Sequence, residues 1–228
     1  MRSNNGWTTL PVATSALMKI TVGKHSTKVR KGSSGYLLRW VARQIDESVE
    51  SCVTLYGWRS SAENRAARGV TDSNHLSGTA IDYNGGKHPY ELKLPAHARF
   101  DNYNSGWSGA DVKAIHGILK AAGGLVAWGN DVSSRYRVGV RDAMHFEVRG
   151  SSAAVSARVA KLSGGTVKVD VDSGHTLIGR KTPSTKGKAL YERARGFKIT
   201  YTSCVWREGR LWLRTRFGTY YAADLTTF

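Results

Sequence analysis

The chain has 228 residues, 40% of them apolar, which is enough for two domains with buried cores and excludes wholesale disorder. Its 34 Lys and Arg against 17 Asp and Glu leave a net charge of +17, which points to a polyanionic partner: nucleic acid, an anionic membrane surface or an anionic cell wall. No apolar run of ~18 residues is present, so membrane insertion is not expected; two cysteines, Cys52 and Cys204, exclude a disulfide framework and a zinc site of paired thiolates.

The opening segment Met1–Trp7 lacks the apolar stretch of a signal peptide, so the chain is expected to stay in a cytoplasm until something else releases it. Residues 1–35 are polar and rich in Gly and Ser, with one strand expected over Leu17–Val22. Leu37, Leu38, Val41, Ile45 and Val49 then recur at helical spacing, and Cys52–Tyr56 reads as a short buried strand leading into Gly57-Trp58-Arg59. Ser60–Ser77 reads as loop with at most a short helix, and Thr79–Tyr83 as a strand closed by Asn84-Gly85-Gly86. Ser108 with Asp111 forms a capping box for a helix that carries Val112, Ile115, Ile118 and Leu119 and stops at Gly123-Gly124. Leu125–Trp128 and Ala143–Val148 are further strands, and Ser151 caps a last helix with Val155, Val159 and Leu162.

Ser163-Gly164-Gly165-Thr166 reads as a linker, which gives domains of 1–162 and 167–228. Beyond it, Leu211–Thr215 alternates between the turn signals Glu208-Gly209 and Phe217-Gly218, so the second domain reads as short strands and turns. The expected fold class is α+β followed by a small all-β module. Charge is spread along the chain: residues 165–228 carry 12 basic and 5 acidic side chains, and residues 1–164 carry 22 and 12. No dense Lys/Arg block marks a nucleic-acid tail, so charge alone does not choose among these partners.

The chemistry concentrates in Ser73-Asn74-His75-Leu76-Ser77-Gly78-Thr79-Ala80-Ile81-Asp82. Catalytic zinc takes three ligands from His and carboxylates and keeps a fourth position open. His75 in the loop and Asp82 in the strand can be brought together by a turn at Gly78, while Ile81 points the opposite way. Asp142-Ala143-Met144-His145-Phe146-Glu147 supplies a third ligand in His145, with Asp142 at the start of that strand. Asp142 is the first choice for the base that takes a proton from the attacking water and passes it to the leaving amine. Glu147, on the same strand face as His145, is the second choice for that base, or a partner that orients a ligand, or the mate of a nearby Arg. Ser73 supports the His75 loop. His25, His88, His97, His116 and His175 have no comparable context, and His116 is expected to pack on its helix.

These residues resemble the Ser-x-His-x-x-Gly-x-Ala-x-Asp motif of the zinc D-alanyl-D-alanine carboxypeptidases and L-alanyl-D-glutamate endopeptidases, with every fixed position present. Asp142-x-x-His145 resembles the family's acid-x-x-His element, and Gly57-Trp58-Arg59-Ser60 its Gly-Tyr-Arg element with Trp for Tyr. The resemblance covers roughly residues 36–150. It implies a central antiparallel sheet with flanking helices, zinc on His75, Asp82 and His145, Asp142 as general base and acid, and Arg59 as a cation for the substrate carboxylate or the oxyanion. Its implied substrate is the stem peptide of bacterial peptidoglycan. Residues 167–228 resemble bacterial SH3-like wall-binding domains through Arg180-x-x-Pro183-Ser184 and Gly218-x-x-Tyr221, which implies binding to peptidoglycan or an anionic wall polymer. Tyr191, Tyr201, Trp206, Trp212, Tyr220 and Tyr221 are candidate stacking surfaces there. The expectation is a monomeric phage-type endolysin acting on the wall, with nucleic acid not the expected partner; the alternatives are a bacterial carboxypeptidase or autolysin, and a non-catalytic basic binder of nucleic acid or wall polymer.

Overall fold

The computed structural model describes residues 1–91, 105–131 and 141–228. They form two compact units, Met1–Val155 and Ser156–Phe228. Among the described residues no helix is long and apolar enough to cross a membrane.

The first unit opens with a hairpin of β1 (Leu17–Val22) and β2 (His25–Arg30). Only β1 was anticipated, because Lys, Ser and Thr dominate β2 and hide its alternation. Helix α1 (Ser33–Ser48) buries Leu37, Leu38, Val41 and Ile45, the 3–4-residue stripe seen in the sequence. After β3 (Leu55–Tyr56), Ser60 caps helix α2 (Ser61–Ala66) in a capping box with Glu63. Strands β4 (Ala80–Tyr83) and β5 (Tyr90–Glu91) follow. Helix α3 (Gly109–Ala121) starts at the expected Ser108–Asp111 capping box. Then come β6 (Val126–Trp128), β7 (Arg141–Asp142), β8 (His145–Val148) and α4 (Ser152–Ser163).

The central sheet is antiparallel, in the order β3-β4-β8-β6, and its register places Asp82 opposite His145 and Ala80 opposite Glu147. All four residues of β4 and of β8 are buried. Ile81 and Phe146 therefore face one way into the core, and Asp82, His145 and Glu147 face the other. Beneath the site, Phe146 stacks on Trp128 with ring centres 5.6 Å apart, and Trp107 meets Trp128 edge-on at 6.0 Å.

The second unit is all-β apart from the end of α4 and one 3-10 turn at Ala223–Leu225. Its strands are β9 (Gly165–Lys168), β10 (Thr176–Arg180), β11 (Ala189–Ala194), β12 (Lys198–Tyr201), β13 (Ser203–Arg207), β14 (Arg210–Arg214) and β15 (Tyr220–Ala222). They pair as a five-stranded sheet, β11-β10-β15-β14-β13, and a two-stranded sheet, β12-β9, two open sheets rather than a closed ring. The expected linker is taken up by regular structure: Ser163 ends α4, and Gly165 and Thr166 open β9. The compact units divide earlier, between Val155 and Ser156.

Candidate metal centre

The site is built on two adjacent strands and one turn. Asp82 and His145 are cross-strand neighbours on β4 and β8. His75 arrives from the preceding loop through a turn at Gly78, whose φ of +68° suits glycine, and a Cβ there would lie 2.7 Å from the Arg30 backbone nitrogen. The loop is fixed by hydroxyls and amides. Ser77 Oγ donates to Asn74 O at 2.9 Å, Ser73 Oγ accepts from His75 N, and Asn5 Nδ2 donates to Thr79 Oγ1 and Val148 O.

His75 Nε2, Asp82 Oδ1 and His145 Nδ1 form a triangle with edges of 3.1, 3.2 and 3.0 Å. All three side chains are buried. The far nitrogen of each ring is already committed. His75 Nδ1 donates to Gly57 O at 2.6 Å, and His145 Nε2 donates to Glu147 Oε2 at 3.0 Å. With those protons placed outward, both inner nitrogens present lone pairs, beside a carboxylate oxygen. Three acceptors cannot satisfy one another, so the centre of the triangle demands a cation, either a proton or a metal. In tetrahedral zinc sites with bonds of about 2.0–2.1 Å, ligand atoms lie about 3.3–3.4 Å apart. The triangle matches that size within a few tenths of an ångström, and the N,N,O donor set fits zinc.

The electrostatics tell the same story. Burial alone would raise Asp82, yet the two imidazoles hold its carboxyl well below the usual range. Burial alone would lower His145, yet hydrogen bonds with Asp82 and Glu147 lift it to about 10. The site is thus tuned to hold positive charge.

A further layer holds these groups in place. Arg59 Nη2 donates to Asp82 Oδ2 at 2.6 Å, so Arg59 grips the outer oxygen of the central carboxylate while Oδ1 faces the two rings. This places Arg59 on Asp82, a contact that its expected role toward substrate did not include. Glu147 accepts from His145 and Asn74 through Oε2 and pairs with Arg149 through Oε1 at 2.5 Å. Both of its oxygens are engaged, and Oε2 meets the outer nitrogen of His145, the position of a carboxylate that orients a metal-binding imidazole. Asn74 and Arg149 were missed in the sequence, where neither carries a spacing signal.

Asp142 is buried and lines the same cavity as His75, Asp82, His145 and Arg59, about 260 Å³ in volume. Its backbone is held tightly: Asp142 N donates to Gly129 O, and a Cβ at Gly129 would come 2.4 Å from Asp142 O. The next carbonyl, of Ala143, accepts from both Trp107 Nε1 at 3.0 Å and Trp128 Nε1 at 2.8 Å. The Asp142–His145 turn is thereby pinned to the aromatic core. Trp107 is itself stacked on His88 at 3.4 Å, and His88 bonds Glu50 at 2.7 Å. His88, which had no context in the sequence, thus belongs to this support. His116 is half-exposed, bonds Asp131 at 2.6 Å and meets the Trp128 ring edge-on at 5.8 Å. His97 lies outside the described residues.

No curated protein and no solved structure matches the chain significantly. Residues 67–148 do match a family model, a stretch shorter than half the chain that includes His75, Asp82, Asp142 and His145. That segment is similar, at the level of the family model, to D-alanyl-D-alanine carboxypeptidases.

Proposed function

We propose that the chain is a zinc-dependent peptidase of bacterial peptidoglycan, cutting stem or cross-link peptides in the manner of a phage endolysin, with the second unit as an SH3-like wall-binding module. The observation that carries this reading is the triangle of His75 Nε2, Asp82 Oδ1 and His145 Nδ1, whose lone pairs converge on one point inside a cavity. The family match over the same residues supports the substrate class.

Zinc held there would supply Lewis acidity, polarising a peptide carbonyl and lowering the pKa of water to about 7. The chain's own residues do the rest. Asp142 takes the proton of the attacking water and returns it to the leaving nitrogen. Arg59 keeps Asp82 aimed and adds positive charge beside the developing oxyanion. Glu147 fixes the tautomer and the tilt of His145.

A carboxypeptidase that trims terminal D-Ala is the second reading, favoured by the description of the matched family. It needs a cation for the substrate's terminal carboxylate. Among the described residues, Arg68 lines the cavity without an ion pair, whereas Arg59 and Arg149 are paired with Asp82 and Glu147. Mass spectrometry of fragments released from purified peptidoglycan separates the two. An endopeptidase solubilises muropeptides and clears a wall suspension; release of free D-Ala alone assigns the carboxypeptidase; release of neither overturns both.

A further inference from the structure

The second unit carries a groove of about 700 Å³. Tyr191 and Arg193 project from the same face of β11, Phe197 sits in the following turn, and Lys198 and Thr200 lie on the outer face of β12. Arg216 and Phe217 reach it from the turn between β14 and β15, which is closed by Gly218 N donating to Thr215 O. Among the described residues no Asp or Glu lines the groove. Arg193, Lys198 and Arg216 have no carboxylate partner among the described residues, whereas Arg195 and Arg210 nearby in sequence pair with Asp170 and Asp224.

The aromatics are displayed rather than packed: Tyr191, Phe197 and Phe217 are 51%, 46% and 79% exposed. Of the aromatics singled out in the sequence, Tyr201, Trp212 and Tyr221 are core. The exposed rings brace guanidiniums. Arg193 lies 5.0 Å from the Tyr191 ring centre and 4.5 Å from that of Phe197, and Arg216 lies 4.5 Å from that of Phe217. A guanidinium lying on a ring covers one ring face, and its planar edge grips phosphate through two parallel bonds; in Arg193, Nε is buried and Nη1 donates to Glu192 O at 3.4 Å. Single-stranded nucleic acid uses such grooves by stacking bases on open ring faces. Here a guanidinium already lies on each ring, and Thr200, Thr202 and Thr215 line the groove; Thr202 Oγ1 donates to Arg214 O and Thr215 Oγ1 accepts from Thr219 N, which leaves the first an acceptor and the second a donor.

We propose that this groove binds an anionic polyol-phosphate polymer of the cell wall, with Arg193 and Arg216 holding successive phosphates and the threonine hydroxyls facing the polyol. The choice of a wall polymer rests on the peptidase reading above; the anion site itself does not.

The test is binding of the full chain to soluble poly(ribitol phosphate), with EDTA present and at about 50 mM salt, where counterion release favours binding. Arg193→Ala and Arg216→Ala should each weaken binding about tenfold and lower the slope of log affinity against log salt by about one. Phe217→Ala should weaken binding while leaving that slope unchanged, because it removes a brace and no charge. Lys181→Ala, an exposed cation of the same unit outside the groove, should change affinity by less than about threefold. Two results overturn the proposal: losses with Lys181→Ala equal to those with Arg216→Ala, or an oligothymidylate of equal phosphate number binding as tightly and losing affinity with the same substitutions. The polymer has no peptide bond. A chain that binds it but cleaves no muropeptide refutes the peptidase and keeps the groove, and the converse result does the opposite.

Discussion

Replacing Glu147 with Gln separates two roles that one carboxylate can play beside a metal. In the structure Glu147 Oε2 receives the Nε2 proton of His145 at 3.0 Å and the Asn74 amide, while Oε1 meets Arg149 at 2.5 Å. Burial alone would raise its carboxyl, but His145, Arg149 and Asn74 keep it lowered, so it remains charged against the imidazole. Gln preserves the volume but carries one acceptor oxygen and no charge, and that oxygen cannot serve His145, Asn74 and Arg149 at once. Loss of such an orienting partner costs about 10–100-fold in metal affinity, or about 1.4–2.8 kcal/mol. Chelator competition measures the affinity, and hydrolysis of a soluble muropeptide at saturating zinc measures turnover. Weaker zinc binding with turnover largely restored at saturation is the expected pattern. Unchanged zinc affinity with turnover lost would make Glu147 the base and refute the assignment to Asp142.

Asp142→Asn should retain zinc and lose about 10²–10⁴-fold in turnover, the usual weight of a general base; a normal rate in the same muropeptide assay would remove Asp142 from the chemistry. Gly129→Ala drives a Cβ into the Asp142 carbonyl. It should destabilise the fold by about 1–3 kcal/mol in denaturant titration and lower turnover with zinc still bound. In the metal-free protein His145 stays protonated up to about 10, so zinc binding at neutral pH must expel a proton. Calorimetry in buffers of different ionisation heat should therefore show release of about one proton, with apparent affinity climbing as pH rises toward 10. The sign for stability runs the other way: the metal-free fold gains from this raised His below about pH 6.5 and loses that gain as pH passes through 10. Equal heats in all buffers would show that zinc displaces no proton.

Much of the site was legible because its signals are local. Asp82 and His145 each sit in a short apolar run, so alternation alone aims them away from Ile81 and Phe146, and both runs became neighbouring strands. Gly78 announced the turn that returns His75 to Asp82. The Ser108–Asp111 capping box fixed the start of α3 to the residue. What stayed hidden depends on contacts between distant segments. Ser3 and Asn5 bond Ser77 and Thr79 from more than seventy residues away, in a stretch that read only as polar. Two tryptophans share the Ala143 carbonyl, and no spacing rule ties Trp107, Trp128 and Ala143 together. Arg59 was singled out, but its grip on Asp82 emerges only when β3 pairs with β4. In the second unit, Phe197 and Phe217 were passed over for Trp212 and Tyr221, since a sequence of short strands does not say which aromatics a small core consumes.

On the proposed reading, His75, Asp82 and His145 hold one zinc ion that the peptidase reaction requires. Metal analysis of the purified chain, paired with hydrolysis of peptidoglycan before and after chelation, tests it directly. One zinc per chain, lost together with hydrolysis in His75→Ala and restored to the wild-type chain by added zinc, is the result expected. Full hydrolysis by a metal-free chain, or a His75→Ala chain that keeps both zinc and activity, would contradict it.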